Sequence, residues 1–330
     1  MSMIDYSVII RTTGKAHEKY QALLDSINAL EPRPCEIIVV LPEGYVLPEE
    51  QLGWETFYFC PKGMVIQRMT GIQKCKTRYA LVCDDDVSFG ADFVQKLYEP
   101  ISEGICGLSA GPLYSFLPEP GTKAFVSALA GAGAPTVFHR NRYISMLNTA
   151  GYSYNRHLNS EKRKYYEAQS LAWTCFFADV ECLREIELED EVWLDAHGYS
   201  AHDDTTMFYK AWLRDIKTIV VADAYYEHQD ARTSTQNNKP AVLYSQIWNL
   251  IVFWHRFMYS TKRTAFGKMW ARLAFGYRLS WMKMWELVDQ LRHRYTTEDM
   301  EIVRKAYREA WGYVKSQEYR NLPPVRKEKI

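Results

Sequence analysis

The chain lacks any excess of charge: forty Lys and Arg are matched by forty Asp and Glu. That balance provides no field to gather nucleic acid, so a nucleic-acid partner is not expected, and any charged function has to be local. Paired cysteines are missing too. The seven present are scattered, odd in number and without CxxC spacing, which argues against a disulfide framework or a zinc site. Reduced thiols of a cytoplasmic protein are the expectation. Long apolar runs are absent as well. The longest weakly charged stretch, residues 124–138, is interrupted by glycine and proline and is too short to span a bilayer. The opening MSMIDYSVII carries an acid and no basic segment, unlike a secretory signal. A soluble protein, peripheral to a membrane at most, is expected. No internal repeat or low-complexity segment interrupts the sequence.

What is present is an ordinary globular balance, 47% hydrophobic and 24% charged. Over the first ~110 residues, short apolar runs alternate with helical patterns. Residues 6–10 read as a strand, and 17–30 as a helix with Tyr20, Leu23, Leu24 and Ile27 on one face. Pro32 and Pro34 stop that helix before the buried-strand run EIIVVL at 36–41. Further strands are expected at 56–60, 79–83 and 105–109, with helices at 64–75 and 92–101. This alternation predicts an α/β fold with a mostly parallel, doubly wound sheet, whose ligands bind beyond the carboxyl ends of the strands. Residues 113–170 are irregular, as a functional loop or lid would be. A strand around 173–178, a helix at 202–212 and a strand at 218–222 follow, and the last ~90 residues read as helices. The expected organisation is a catalytic unit over 1–235, in halves 1–112 and 113–235, and a helical region over 236–330.

The first chemical signal is Asp84-Asp85-Asp86, directly after the apolar run YALVC. Three carboxylates at the end of a buried strand repel one another and lose solvation. A divalent cation relieves both costs, and Mg²⁺ or Mn²⁺ takes carboxylate together with phosphate oxygens. The plainer alternative is a solvated acidic turn capping the next helix.

The stretch KGMVIQRMTGIQKCKTRYALVCDDDV runs from a glycine turn through a helix bearing Arg68 to a strand and the aspartates. With the opening SVIIRTT and the later EIIVV, it resembles the donor-binding half of family 2 glycosyltransferases, which have the A-type nucleotide-diphospho-sugar transferase fold. The resemblance covers roughly residues 5 to 230. It implies that Asp84 faces the nucleotide ribose or the sugar, with Asp85 beside it, and that Asp86 holds Mn²⁺ or Mg²⁺ across the diphosphate. Thr12 would lie near the base and ribose, and Arg68 would approach the donor. One departure is the turn Leu41-Pro42-Glu43-Gly44 after the second strand, where the family often has a DDGS-like sequence; Glu43 is the substitute available there.

The segment DEVWLDAHGYSAHDDTTMFYKAWLRDIKTIVVADAYYEH carries the rest of the resemblance. Family members place an acidic pair, commonly Glu-Asp, at the head of a helix, where the aspartate is the catalytic base. Asp203 and Asp204 match that pair, with Asp204 favoured as the base; helix capping is the plainer role for both. His202 would tune the pair or meet an acceptor, and His228 would complete the metal shell, although a lone histidine is more often structural. Trp173 and Asp195 lie where acceptors are held. A nucleotide-diphosphate sugar donor, a carbohydrate or lipid-linked acceptor, and a role in cell-surface polysaccharide or glycolipid synthesis follow from the resemblance. A single base opposite the leaving group implies inversion.

Two other readings compete. YALVC-DDDVS nearly meets the nucleophile motif of haloacid-dehalogenase-type phosphohydrolases, though Ser88 occupies its Thr/Val position and ~80 residues of strand–helix units precede it. A catalytically silent sugar-binding protein would keep the same acids. Finally, Phe266, Trp270, Leu273, Tyr277, Trp281, Met284 and Val288 recur at helical spacing amid Lys262, Arg263, Lys268, Arg272, Arg278 and Lys283. Such a stripe meets either a membrane surface or a protein core, including the helix over 244–258.

Overall fold

The computed structural model describes residues 4–113, 142–147, 150–155, 158, 160–231 and 238–326. Most of the irregular stretch over 113–170, including the run 124–138, therefore lies outside the described residues. The first strands are β1 (Tyr6–Arg11), β2 (Glu36–Pro42), β3 (Glu55–Cys60) and β4 (Tyr79–Asp84). They lie side by side and parallel, in the order β3-β2-β1-β4. Three helices accompany them: α1 (Glu18–Asn28), α2 (Met64–Lys74) and α3 (Phe93–Ser102). β1, β2 and β4 are buried on both faces, which requires apolar runs, whereas β3 at the sheet edge keeps exposed residues. Val8 and Ile10 face one core with Leu23, Leu24, Phe93 and Leu97, while Ile9 faces the other with Val40, Met69 and Ile72.

Beyond β4 the sheet becomes mixed. The next strands in the chain are β5 (Val87–Phe89), β6 (Leu108–Ala110), β7 (Arg142–Leu147), β8 (Tyr152–Asn155), β9 (Tyr165–Ala168) and β10 (Cys175–Asp179). β10 runs antiparallel between β4 and β6. β11 (Thr218–Val221) adds parallel to β6, and β9, β7 and β8 complete the ten-stranded sheet. A separate pair, β5 with β12 (Tyr226–His228), sets His228 opposite Val87.

Helices α4 (Val180–Ile186) and α5 (Asp203–Leu213) belong to this unit. The described residues that follow are mainly helical: α6 (Lys239–Phe253), a π-helical turn over Trp254–Tyr259, α7 (Ala265–Leu291), α8 (Thr297–Tyr313) and α9 (Gln317–Arg320). Thr296 and Asp299 form a reciprocal capping box at the start of α8. These helices share a hydrophobic core with the sheet: Ile251, Phe253, Phe257, Val303 and Val325 join Phe176 and Phe208. A buried ion cluster fastens the join. Glu191, 1% exposed, accepts from Arg256 Nε and Nη2 at 2.5 and 2.9 Å and pairs with Lys210 at 2.9 Å.

Candidate active site

The parallel register brings the end of β1 beside the end of β4, with Arg11 opposite Asp84. Arg11 Nε and Nη2 each lie 3.2 Å from Asp84 Oδ1. From α2, Arg68 Nη2 reaches the same oxygen at 3.1 Å and donates to the Trp173 carbonyl at 3.0 Å. Its other terminal nitrogen, Nη1, pairs with Asp203 at the head of α5. The guanidinium also lies over the Trp173 ring, 4.4 Å from its centroid. One buried cation thus joins carboxylates 119 positions apart in the chain. At 3% exposure, Arg68 acts as this bridge and is poorly placed to meet a ligand directly. Trp173, also 3% exposed, is its platform and part of the core.

The remaining aspartates of the triplet face different partners. Asp85 accepts from Thr12 Oγ1 at 2.6 Å, and Thr12 in turn accepts the Gly14 N–H at 2.9 Å. These contacts organise the turn after β1. Burial raises Asp85 to about 6, partly offset by Arg11 and Thr12. Gln67 secures the same turn by donating to the carbonyls of Thr12 and Val40, each at 3.2 Å. Asp86 points instead toward β12. Its Oδ2 accepts the Ala231 N–H at 2.7 Å, and its Oδ1 lies 3.3 Å from His228 Nε2. Burial alone would raise the Asp86 pKa, but His228 and the Ala231 amide outweigh it and hold the carboxyl below its usual range. Burial opposes protonation of His228, and Asp86 outweighs that effect to raise its pKa. Glu43 stays exposed in the turn after β2.

An oxygen and an imidazole nitrogen in this corner suit Mn²⁺. Among the described residues no group of three or more His, Cys, Asp or Glu is gathered to hold a metal. Asp86 and His228 could supply two ligands to such a cation, phosphate and water being the usual remainder for Mg²⁺ and Mn²⁺ at phosphate sites.

At the head of α5 the two acids differ. Both oxygens of Asp203 are engaged: Arg68 takes one, and the Asp204 N–H donates to the other at 2.9 Å. Asp204 Oδ1 accepts the Thr205 N–H at 2.6 Å, while its side chain keeps part of its surface open. Burial, with the neighbouring Asp203 charge second, raises Asp204 to about 6. His202, at φ 66°, makes the turn into the helix. Burial and Arg278 lower its pKa to about 4, so it stays neutral near pH 7, and its ring stacks toward Phe253 at 6.5 Å. Asp195 serves the first half of the unit: its carboxylate caps α2 by accepting the Val65 and Ile66 amides at 3.2 and 3.0 Å. Gly63 permits this, because a Cβ there would lie 2.5 Å from Asp195 Oδ2. Asp195→Ala should cost about 1 kcal/mol, the usual effect of losing a cap, readable as a lower Tm.

Sequence reasoning passed over Arg11 and Gln67. Arg11 carried a usable signal, a cation ending an apolar strand at the ligand edge; Gln67 carried none.

No family model matches the sequence, and no curated protein sequence does. Solved structures share the fold. The chain is similar to residues 1–349 of Staphylococcus aureus TarS, at 12% identity and TM-score 0.51 over 93% of this chain and 81% of that one. The same protein in complex with UDP-GlcNAc matches at 12% identity and TM-score 0.51, over 92% and 79%. GalNAc-T7 with UDP, GalNAc and Mn²⁺ matches at 14% and 0.53, over 84% of this chain and 56% of that one. The fold implied by the family 2 resemblance, that of the A-type nucleotide-diphospho-sugar transferases, is the fold of this chain.

Proposed function

We infer that the protein is an inverting glycosyltransferase, moving a sugar from a nucleoside-diphosphate sugar to an acceptor hydroxyl. The observation that carries this reading is the Arg68 bridge, which brings the aspartates ending β4 beside the acidic pair heading α5. A donor site and a base would then stand side by side. The solved structures with UDP-GlcNAc, and with UDP, GalNAc and Mn²⁺, support a donor of this class.

In this reading Asp86 and His228 hold a divalent cation, which when bound offsets negative charge on the departing diphosphate. Asp204 takes the proton from the acceptor hydroxyl as that oxygen attacks the anomeric carbon. A pKa near 6 suits the task, since the carboxylate is charged at pH 7 yet basic enough to assist. Asp203 stays ion-paired and fixes the orientation of the helix head. With one free base and no carboxylate assigned as nucleophile, direct displacement inverts the anomeric centre. The acceptor is proposed to be a carbohydrate or lipid-linked carbohydrate of cell-surface polysaccharide or glycolipid synthesis, and the site of action the cytoplasm. The phosphohydrolase alternative needs Asp84 as a nucleophile, a poor role for a carboxylate held by two guanidinium groups. A silent sugar-binding protein would bind donor without turnover.

A thermal-shift screen of UDP-, GDP- and TDP-sugars, with and without Mn²⁺, tests the donor assignment by mass action. Asp86→Ala should abolish the Mn²⁺-dependent part of donor affinity while the protein stays folded. Unchanged affinity by calorimetry in Mn²⁺ would remove Asp86 from the metal site.

A further inference from the structure

Helix α7 is apolar on two opposite sides. At ~100° per residue, Ala271, Phe275, Leu279 and Met282 fall on one side. The first two are buried and the others pack against the core. Phe266, Met269, Leu273, Met284, Leu287 and Leu291 fall on the opposite side, all exposed, with Phe266 at 70%, Leu273 at 60% and Leu291 at 79%. Trp270 and Tyr277 extend the outward face and are half exposed. No Lys, Arg, Asp or Glu interrupts an arc of roughly 200° around the helix, and its 27 residues run for about 40 Å. A helix lying on a soluble protein normally turns polar residues outward.

Charge indicates what covers this face. From Lys262 to Arg294 there are eight Lys or Arg against two Asp or Glu, in a chain with no net charge. Lys268 and Arg272 sit along one flank, 5.8 and 4.8 Å from the Tyr259 ring centroid, and Lys283 lies on the same flank beside Tyr307. Arg263 and Arg292 are exposed at the two ends. A second copy docking on this face would bring like charges together, whereas an anionic lipid surface attracts them. Tryptophan and tyrosine beside basic residues suit headgroup depth. Among the described residues no helix is long and apolar enough to cross a membrane, and α7 would meet one side-on.

We propose that α7 lies in the surface of an anionic bilayer, its outward apolar face among the acyl-chain ends and its basic flank at the headgroups. This goes beyond the transferase reading and is read without any transfer assay. The full chain is sedimented with sucrose-loaded phosphatidylcholine vesicles, with and without phosphatidylglycerol, at low and moderate salt. The protein should pellet with the anionic vesicles and less so as salt rises. The double variant Leu273→Glu, Met284→Glu should weaken partitioning by at least about tenfold at unchanged Tm, since it sets two charges on the inserted face. Protein left in the supernatant at both salts would overturn the proposal, as would a variant that binds like the parent. A dimer in sedimentation velocity that this variant dissociates would assign the face to a second copy and overturn it equally.

Discussion

Asp204→Asn should lower transfer by about 10²–10⁴-fold while donor affinity stays unchanged, because the amide keeps the shape of the carboxylate and loses its basicity. Single-turnover rates with calorimetric donor affinity separate the two effects. The pH profile supplies an independent check. With its pKa raised to about 6, Asp204 is charged above that value and neutral below it. Transfer should therefore fall tenfold per pH unit on the acid side, and that limb should vanish in the Asn variant. Stability runs the other way. A carboxyl whose folded pKa exceeds its unfolded value binds more protons in the native state, so its contribution falls as pH rises from about 4 to about 6. Asp204→Asn should accordingly raise Tm at pH 7 and have little effect at pH 4, a trade of stability for function. A near-parental rate would move the base elsewhere and sink the assignment.

The largest loss of stability should follow Arg68→Ala. Arg68 is 3% exposed, and the side chains of Asp84 and Asp203 are 12% and 10% exposed. Removing the cation from a buried network leaves carboxylates uncompensated, at a cost of about 3–5 kcal/mol. Arg11 still faces Asp84, so the loss should be greatest at Asp203. Arg68→Lys should recover only part of it, since a single ammonium cannot serve both carboxylates and the Trp173 carbonyl in the forked geometry of a guanidinium. Denaturant melts of the three proteins, followed by transfer assays on the folded fraction, test this. An Arg68→Ala variant as stable as the parent would show that the bridge contributes nothing.

The central strands were legible because both of their faces are buried: the run EIIVVL marks 36–41 as a strand, and β2 spans Glu36–Pro42, one residue longer. The mixed half of the sheet was less so. The run at 173–178 marks β10 as a strand but says nothing of its direction, and β10 runs antiparallel to β4. At the site, the chemical type of each acid could be read but its partner could not. Nothing in the order of residues tells that Arg68 turns inward to Asp203 while Asp86 turns toward His228, since those choices depend on contacts made 135 and 142 positions away. Asp195 shows the same limit: it stands in the later half of the unit and caps a helix of the earlier half. For the stripe on α7, spacing alone favoured a core over a membrane, and the helix has apolar residues on both sides, those facing outward being exposed.

The core that the sheet shares with the C-terminal helices bears on how the chain is made. Ribosomes deliver residues in order, and the strands of the parallel half emerge first. Ile251, Phe253, Phe257, Val303 and finally Val325 join the core that also holds Ile9 and Val40 of those strands, and Glu191 meets its Arg256 partner only after the intervening 64 residues have been synthesised. Until those parts arrive, the shared core is incomplete and an acid meant for burial lacks its guanidinium. A nascent chain stalled before α6 should therefore be a client for chaperones and open to proteases, with protection arising late and all at once rather than half by half.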